Sequence, residues 1–339
     1  MPTLTRLRPA AWQAVMPGAL TTAAIALAAS FISEHYGGPQ LLYALFFGMA
    51  FNFLASDPRI QPGIEFVARG LLRFGVALLG ARITIGQVTA LGIGPVVLVV
   101  LGTVTTIAFG AFLARRLGRS AGEGLLTGGA VGICGASAAL ALSAAMPKNA
   151  QNQRFTLLTV VGVTALSTLA MILYPAIARL LGLDAPAAGI FLGGTIHDVA
   201  QVVGAGAMVS PETADTATVV KLLRVALLVP AVMVFSVIYR GRQGQAQATE
   251  RPPLLPAFLV GFVALVALNS TGLISHDVSG ALSQVSRWCL VAAIAGLGVK
   301  TSFQQLAALG WRPVALMVGE TVFLAALNLG GTALLQRWG

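Results

Sequence analysis

The sequence predicts an all-α integral membrane protein with about eleven transmembrane helices. Only 9% of the 339 residues are charged and 57% are hydrophobic, whereas a soluble protein carries about 25% charged residues. Eleven apolar segments approach or exceed the roughly 20 residues that a helix needs to cross a bilayer. In addition, residues 67–104 recur without a gap at 285–322, an offset of 218.

The eleven segments follow one another closely, with one longer polar linker at 240–251. We therefore treat 1–339 as a single polytopic domain. For the first segment, a cleaved signal peptide is the alternative, but its long apolar run and the ten segments that follow favour a spanning helix. The segments are 11–33, 39–54, 63–82, 93–114, 123–146, 155–179, 186–209, 217–239, 254–273, 285–303 and 311–335.

The distribution of lysine and arginine between loops predicts a cytoplasmic N-terminus. With that orientation and eleven crossings, eleven basic residues fall inside and four outside, as the positive-inside rule requires. The inside set is Arg6, Arg8, Arg59, Arg115, Arg116, Arg119, Arg179, Arg240, Arg242, Arg251 and Lys300, and the outside set is Arg82, Lys148, Arg154 and Arg337.

The repeat predicts two inverted copies. It relates the helix pair 63–114 to the pair 285–335, seven spans later, so an odd number of crossings separates them and they run in opposite directions. Arg69 recurs as Arg287, and Arg82 recurs as Lys300. Inverted repeats around a central site are typical of secondary transporters. One difficulty follows: the two glycine-rich spans, the fifth and seventh, share an orientation and so cannot be inverted mates.

The fifth span is predicted to be a broken helix that binds an anion. Four glycines fall within eight residues of Gly128–Gly135, and each weakens a helix by about 1 kcal/mol relative to alanine. The alternative is close packing of helices through small residues. A break would expose the N-terminus of a half-helix, which favours negative charge. The candidate binding residues are Gly132, Cys134, Gly135 and Ser137.

The seventh span places Thr195, His197, Asp198 and Gln201 among glycine pairs at membrane depth. Such polar groups are costly in a bilayer unless they face a cavity or each other. We expect Thr195, His197 and Gln201 to contact substrate and Asp198 and His197 to handle a coupling ion. The alternative is a polar cluster that only ties helices together. No third and fourth ligand stands at a recognisable spacing, so no metal site is predicted.

Other charged residues within spans are weaker candidates. We expect Arg73 and Arg224 to offset substrate charge, and Glu320 to carry a coupling proton, although pairing with an arginine would also explain that carboxyl. Snorkelling to the headgroups is the alternative for Lys221, Arg287 and Arg312. Glu65, one helical turn before Arg69, is placed to neutralise it.

Several function classes are disfavoured by what the sequence lacks. There is no nucleotide-binding loop, zincin motif or serine nucleophile elbow, so no ATP-driven pumping and no cofactor are predicted. The net charge of +10 is scattered over short loops rather than clustered, which argues against nucleic acid. Cys134 and Cys289 lie in different apolar segments and indicate no disulfide framework.

Four motifs together resemble the YeiH family of sulfate exporters. They are LLRFGVALLGARIT at 71–84, GICGASAA at 132–139, GGTIHDVAQVVGAG at 193–206 and KLLRVALLVPAV at 221–232, and the resemblance runs from about residue 39 to 320. It implies a bacterial inner-membrane protein of the bile acid symporter and sodium/proton antiporter superfamily, with a scaffold domain, a core domain and crossing broken helices.

The function expected from residues and resemblance together is secondary transport, as an exporter, of a small anion such as sulfate, sulfite or an organosulfonate. The expected partners are that anion, a coupling H⁺ or Na⁺ and the lipid bilayer, with a homodimer left open. A cation/proton antiporter that uses Asp198 is the first alternative. An intramembrane enzyme that uses His197 and Asp198 as an acid/base pair is the second. A passive channel is a third, because the sequence does not distinguish a site that alternates from one that stays open.

Overall fold

A computed structural model describes residues 9–37, 39–147, 149–239, 257–301 and 310–338. Six of its helices are long and apolar enough to span a membrane, within 13–36, 93–116, 150–180, 211–239, 277–300 and 311–336. The predicted linker 240–251 lies outside the described residues.

The α-helices of the described residues are numbered in chain order. They are α1 Pro9–Tyr36, α2 Gln40–Ala50, α3 Gln61–Glu65, α4 Leu72–Leu79, α5 Ile85–Ala90, α6 Ile93–Arg116, α7 Ala121–Gly132, α8 Ala136–Ala144, α9 Ala150–Leu180, α10 Ala185–Thr195, α11 Val199–Ala207, α12 Pro211–Ala226, α13 Leu228–Tyr239, α14 Ala257–Ser270, α15 His276–Lys300 and α16 Trp311–Trp338.

The chain forms two compact units. Unit 1 comprises Met1–Thr84 and Gly261–Ser302, and unit 2 comprises Ile85–Val260 and Phe303–Gly339. The repeat contributes to both, because the first helix of each copy lies in unit 1 and the second, α6 or α16, lies in unit 2. That these units act as one transporter domain stays a prediction.

Unit 1 is built around α15. Glycines allow α2 and α15 to cross closely, since a Cβ at Gly48 would lie 2.9 Å from the Cα of Gly298. Helix α15 begins well before the predicted residue 285, because Ser275 caps it by accepting a hydrogen bond from the amide of Val278. The neutralisation of Arg69 by Glu65 is confirmed, with an N–O distance of 2.6 Å.

In unit 2, the second helices of the two repeat copies pack antiparallel. A Cβ at Gly102 of α6 would lie 3.3 Å from Nδ2 of Asn328, and a Cβ at Gly110 would collide with Oε1 of Glu320. At the repeat offset of 218, Gly102 corresponds to Glu320 and Gly110 to Asn328. The two contacts are therefore mates under a pseudo-twofold rotation, which agrees with inverted copies.

The fifth predicted span is broken, but it does not cross as predicted. Its halves, α7 and α8, lie antiparallel: a Cβ at Gly122 would lie 3.5 Å from Cε of Met146, and one at Gly129 would collide with Leu142. Gly122 begins α7 whereas Met146 follows α8, so the chain returns to the end from which it started. We call α7–α8 the first hairpin and residues 133–135 its tip.

The seventh predicted span is a second hairpin, α10–α11, with its tip at 196–198. Thr213 Oγ1 donates to Ala185 O at 3.2 Å, and a Cβ at Gly206 would lie 2.6 Å from the Cα of Ala214. The start of α10 and the end of α11 therefore lie at the same level, beside the first turn of α12. This segment also returns to the end from which it started, so the prediction that it crosses is wrong.

The two hairpins enter unit 2 from opposite ends of α9, a helix of 31 residues and about 46 Å. Arg119, just before α7, stacks on Phe155 near the start of α9. Arg179, near the end of α9, donates to the carbonyl of Met208, just after α11. The hairpins are therefore inverted relative to each other, which removes the difficulty raised by the glycine-rich segments. With two hairpins in place of two spans, the number of crossings between the repeat copies stays odd. The repeat copies therefore remain inverted.

Candidate functional site

The tips of the two hairpins meet inside unit 2. Gly135 adopts a φ of +65°, a conformation that side chains rarely tolerate. A Cβ at Gly135 would lie 3.4 Å from the Cβ of His197 in the other tip. Irregular backbone at membrane depth is tolerated only where protein buries it or where it lines a cavity. The junction of the tips is such a place.

Two fully buried cations hold the tips together. Lys221 Nζ donates to Ile133 O at 2.7 Å and to Ile196 O at 3.0 Å. Arg224 donates from Nε to Gly132 O, from Nη1 to Gly193 O and Ile196 O, and from Nη2 to Val131 O, at 2.7–3.2 Å. These carbonyls end α7 and α10, where helices leave carbonyls unsatisfied and carry partial negative charge.

Lys221 therefore does not snorkel. Its side chain is 0% exposed and that of Arg224 is 1% exposed. The predicted start of this span at residue 217 is too late, because Ser210 caps α12 by accepting from the amide of Thr213, and Pro211 takes the first turn. The earlier start places both cations in the helix interior.

The N-termini of the second arms, α8 and α11, also begin at the junction. Asp198 caps α11 by accepting from the amide of Ala200 at 2.8 Å. Helix α8 follows Gly135, which has no side chain to accept such a bond. Among the described residues, no acceptor contacts the amides of Ala136 and Ser137. The first hairpin thus presents a helix N-terminus that is open at the amides of Ala136 and Ser137, while the thiol of Cys134 contacts the amide of Ala138. The second hairpin presents a carboxylate.

Polar side chains from two helices, α9 and α16, fix the second tip. Thr321 of α16 lies 3.1 Å from Nε2 of His197. On α9, Ser167 Oγ accepts from the amide of Asp198 at 3.0 Å, and Thr168 Oγ1 accepts from Gln201 Nε2 at 2.8 Å. Oε1 of Gln201 is buried and lacks a partner within the described residues, whereas the ring of His197 also contacts backbone carbonyls of Val131 and Thr195. A buried acceptor without a partner, such as Oε1 of Gln201, is commonly satisfied by water or a ligand.

Thr103 on α6 is the repeat mate of Thr321 and serves the first tip, because its Oγ1 donates to Gly132 O at 3.1 Å. Both threonines lie within the repeat 67–104 and 285–322, but neither was among the predicted site residues. Ser167 and Thr168 were also missed, since nothing in the sequence distinguishes them from other hydroxyls in α9.

Most predicted site residues are gathered at this junction. Cys134 and Gly135 lie in the first tip, Gly132 precedes it, and Ser137 is exposed on the first turn of α8. Arg73 belongs to unit 1, where it is exposed on α4. The other predicted site residues belong to the second hairpin or contact it: Thr195, His197, Asp198, Gln201 and Arg224. The hydroxyl of Thr195 donates to Phe191 O within α10.

Glu320 lies apart from the tips, against the first arm of the first hairpin. Its side chain is 0% exposed and its Oε1 lies 2.7 Å from the hydroxyl of Thr127. The predicted alternative, pairing with an arginine, is wrong for the described residues, since none forms an ion pair with Glu320.

Comparison with known proteins gives a family. Residues 17–317 match the family model described as "Conserved hypothetical protein 698". The chain is 54% identical over 315 residues to the UPF0324 membrane protein CT0845 of Chlorobaculum tepidum, covering 93% of this chain and 88% of that one. It is 52% identical over 321 residues to the UPF0324 membrane protein TauZ of Paracoccus pantotrophus, with coverages of 94% and 95%.

A further relative, the UPF0324 membrane protein RB0971 of Rhizobium meliloti, is 51% identical over 93% of this chain and 92% of its own length. No solved structure matches the chain. The helical fold, the apolar spans and these relatives agree with the resemblance of the four motifs to the YeiH family. The chain belongs to the UPF0324 family of membrane proteins.

Proposed function

We propose that this protein is a secondary transporter, an exporter that moves a small anion across the bacterial inner membrane by alternating access. The observation that carries the proposal is the junction of two inverted hairpins near the middle of α9. Each hairpin separates the junction from one end of α9, so moving either hairpin would open the site to one side only. Discontinuous helices of this kind form the binding sites of many transporters.

The charges at the junction favour an anion. Lys221 and Arg224 place two buried positive groups behind the tips, and Asp198 supplies one negative group. All donors of Arg224 that have partners point to backbone carbonyls, so we assign it an electrostatic and positioning role rather than direct contact. The open N-terminus of α8 would then donate to the anion itself.

The substrate class follows from the donors available and from the family resemblance. Sulfate, sulfite and organosulfonates all present several acceptor oxygens to backbone amides such as those of Ala136 and Ser137. Oε1 of Gln201 only accepts hydrogen bonds, so it would bind a water that accompanies the anion or the ammonium group of an organosulfonate such as taurine. We propose the first turn of α8 as the primary contact.

The hairpins also strengthen the proposed orientation with a cytoplasmic N-terminus. Because the first hairpin returns to its starting side, the loop with Lys148 and Arg154 moves inside, and Arg179 moves outside. Twelve of the basic residues counted above then lie inside and three, Arg82, Arg179 and Arg337, lie outside. This bias exceeds the original eleven to four, as the positive-inside rule favours.

Thermal unfolding of the purified protein tests anion binding. We expect sulfate, sulfite, thiosulfate or taurine to raise the melting temperature, because a ligand at 100 times its Kd stabilises the folded state by about 2.7 kcal/mol. Ser137→Asp should abolish that increase, since its carboxylate would occupy the open N-terminus while favouring the helix. Ser137→Asn, which matches its size without the charge, should preserve the increase.

A cation/proton antiporter on the same scaffold is the alternative, and the position of Asp198 at the second tip favours it. In proteoliposomes, anion flux that survives Asp198→Asn supports the anion proposal. Absence of a melting shift with every anion, including bicarbonate and dicarboxylates, together with a Na⁺-dependent shift that Asp198→Asn removes, would favour the antiporter instead.

A further inference from the structure

We propose that Glu320 carries the proton that couples transport, so that the driving ion is H⁺ rather than Na⁺. This inference rests on the proposed function and deepens it. Glu320 lies in the middle of unit 2, is 0% exposed and packs against Gly110 of α6 and Thr127 of α7. A carboxylate buried without a cation is strongly disfavoured, so a buried carboxyl takes up a proton.

The hydrogen bonds around Glu320 fit a protonated carboxyl. Thr127 Oγ1 lies 3.1 Å from Glu123 O, 3.3 Å from Gly124 O and 2.7 Å from Glu320 Oε1. The Thr127 hydroxyl has one proton. If that proton is donated to a carbonyl of α7, the hydrogen bond between Thr127 and Glu320 needs a proton on the carboxyl of Glu320. If Glu320 were ionised, Thr127 would be its one donor, and Oε2 is buried with no partner among the described residues.

Other charged groups on the helices that contact α16 do not compensate Glu320. On α7, Glu123 is paired with Arg119 at 2.8 Å. On α6, Arg115 and Arg116 are exposed near the helix end, and on α9, Arg154 and Arg179 are exposed near its ends. Helix α10 has no charged residue, and His197 at the following tip contacts Thr321.

The position of Glu320 connects the proton to the anion site. Glu320 contacts the first hairpin through Thr127, and the next residue, Thr321, contacts the tip of the second hairpin through His197. With its proton, Glu320 stays packed against α7. When that proton leaves to water, the remaining carboxylate needs solvation, which requires α16 and the first hairpin to separate and the interior to open to one side.

Transport of radiolabelled sulfate by the reconstituted protein separates exchange from coupling. We expect Glu320→Gln, which mimics the protonated carboxyl, to retain sulfate counterflow. Uptake driven by a pH gradient of either polarity should fall to the level measured without a gradient. Glu212→Gln changes an exposed acid of unit 2 and should leave both activities unchanged. Gradient-driven uptake that persists in Glu320→Gln, or that follows Na⁺ instead of pH, contradicts the proposal.

Infrared spectroscopy provides a readout that does not depend on transport or on sulfate. The wild-type protein should show the C=O stretching band of a protonated carboxyl at neutral pH. Thr127→Val should shift that band and Thr127→Ser should leave it in place, even where Glu320→Gln fails to fold. Absence of the band in the wild type overturns the assignment of the proton to Glu320. If the band is present but the protein does not transport sulfate, the proposed substrate is contradicted and the assignment of the proton to Glu320 is not.

Discussion

Arg224 donates to carbonyls of both hairpins, so the cost of burying its charge is offset only while the two tips stay in place. The guanidinium supplies several donors in a rigid plane, whereas the ammonium of lysine is a compact group with three donors. Its four acceptors come from α7, α10 and the second tip. The residue therefore couples two chain segments that are far apart in sequence.

Replacing Arg224 by lysine keeps the charge and removes the planar geometry. We expect Arg224→Lys to lower the free energy of unfolding by several kcal/mol, since each buried carbonyl left without a donor costs about 1–3 kcal/mol. Arg154→Lys, at an exposed position, is the matched control and should be neutral. Thermal melts in detergent measure both, and equal melting temperatures for the two variants would contradict the role assigned to Arg224.

At the residue scale, the sequence indicated the important groups but not their geometry. Lys221 and Arg224 stood out as cations in an apolar segment, yet a helix start set too late allowed Lys221 to reach the headgroups. Ser210 and Pro211 are the cap and first-turn residues that correct it. That His197 contacts Thr321 follows only from how α16 packs, which local sequence does not encode.

Close helix packing sets the position of the first hairpin arm. Helix α6 and the first hairpin arm, α7, approach each other closely through glycines. A Cβ at Gly124 would lie 2.6 Å from the carbonyl carbon of Gly110 and 2.7 Å from Cβ of Ala114. These neighbours are backbone or short side chains that cannot rotate away. The glycines thus keep Thr127 within reach of Glu320.

Adding one methyl group at this crossing should separate the helices. We expect Gly124→Ala to destabilise the protein by about 1–3 kcal/mol, the usual cost of overpacking a core. Gly330→Ala in α16 is the control, because a Cβ there meets no atom within 4 Å and alanine favours a helix by about 1 kcal/mol. If the two substitutions have equal effects on the melting temperature, close packing does not determine this crossing.

At the element scale, the sequence predicted both breaks but not the turns. Glycines weaken a helix whether the chain then continues across the bilayer or reverses. The glycine content of 128–135 and 193–206 therefore does not distinguish a broken spanning helix from a hairpin. Reversal depends on contacts such as Gly129 with Leu142. One signal was available: Lys148 and Arg154 fit the positive-inside rule only if the preceding segment returns.

The whole molecule allows a direct test of the hairpins through accessibility of their ends. Gln151 begins α9 and Glu212 begins α12, and both are exposed. In the structure α9 crosses between them and the second hairpin does not, so they should face opposite sides of the membrane. If both glycine-rich segments crossed, the two residues would share a side.

Single cysteines at these positions, in a background without Cys134 and Cys289, report the side. We expect an impermeant maleimide to label Glu212→Cys in intact spheroplasts and Gln151→Cys only in inverted vesicles. Leu181→Cys, at the end of α9, is the control and should label with Glu212→Cys. Labelling of positions 151 and 212 both from the outside would restore two crossing spans, and labelling of both from the inside would restore a crossing for the second glycine-rich segment alone.

The pseudo-twofold contacts between α6 and α16 also show how the two halves of the chain have come to differ. In a symmetric ancestor made of two identical chains, each copy of this helix would supply one polar side chain and one glycine. Here both glycines, Gly102 and Gly110, belong to α6, and both polar residues, Glu320 and Asn328, belong to α16. In a single chain the two copies can differ, and here an acid lies against the first hairpin while the amide of Asn328 lies against Gly194 of the second. Two identical subunits could not have made that distinction between the two faces of a membrane.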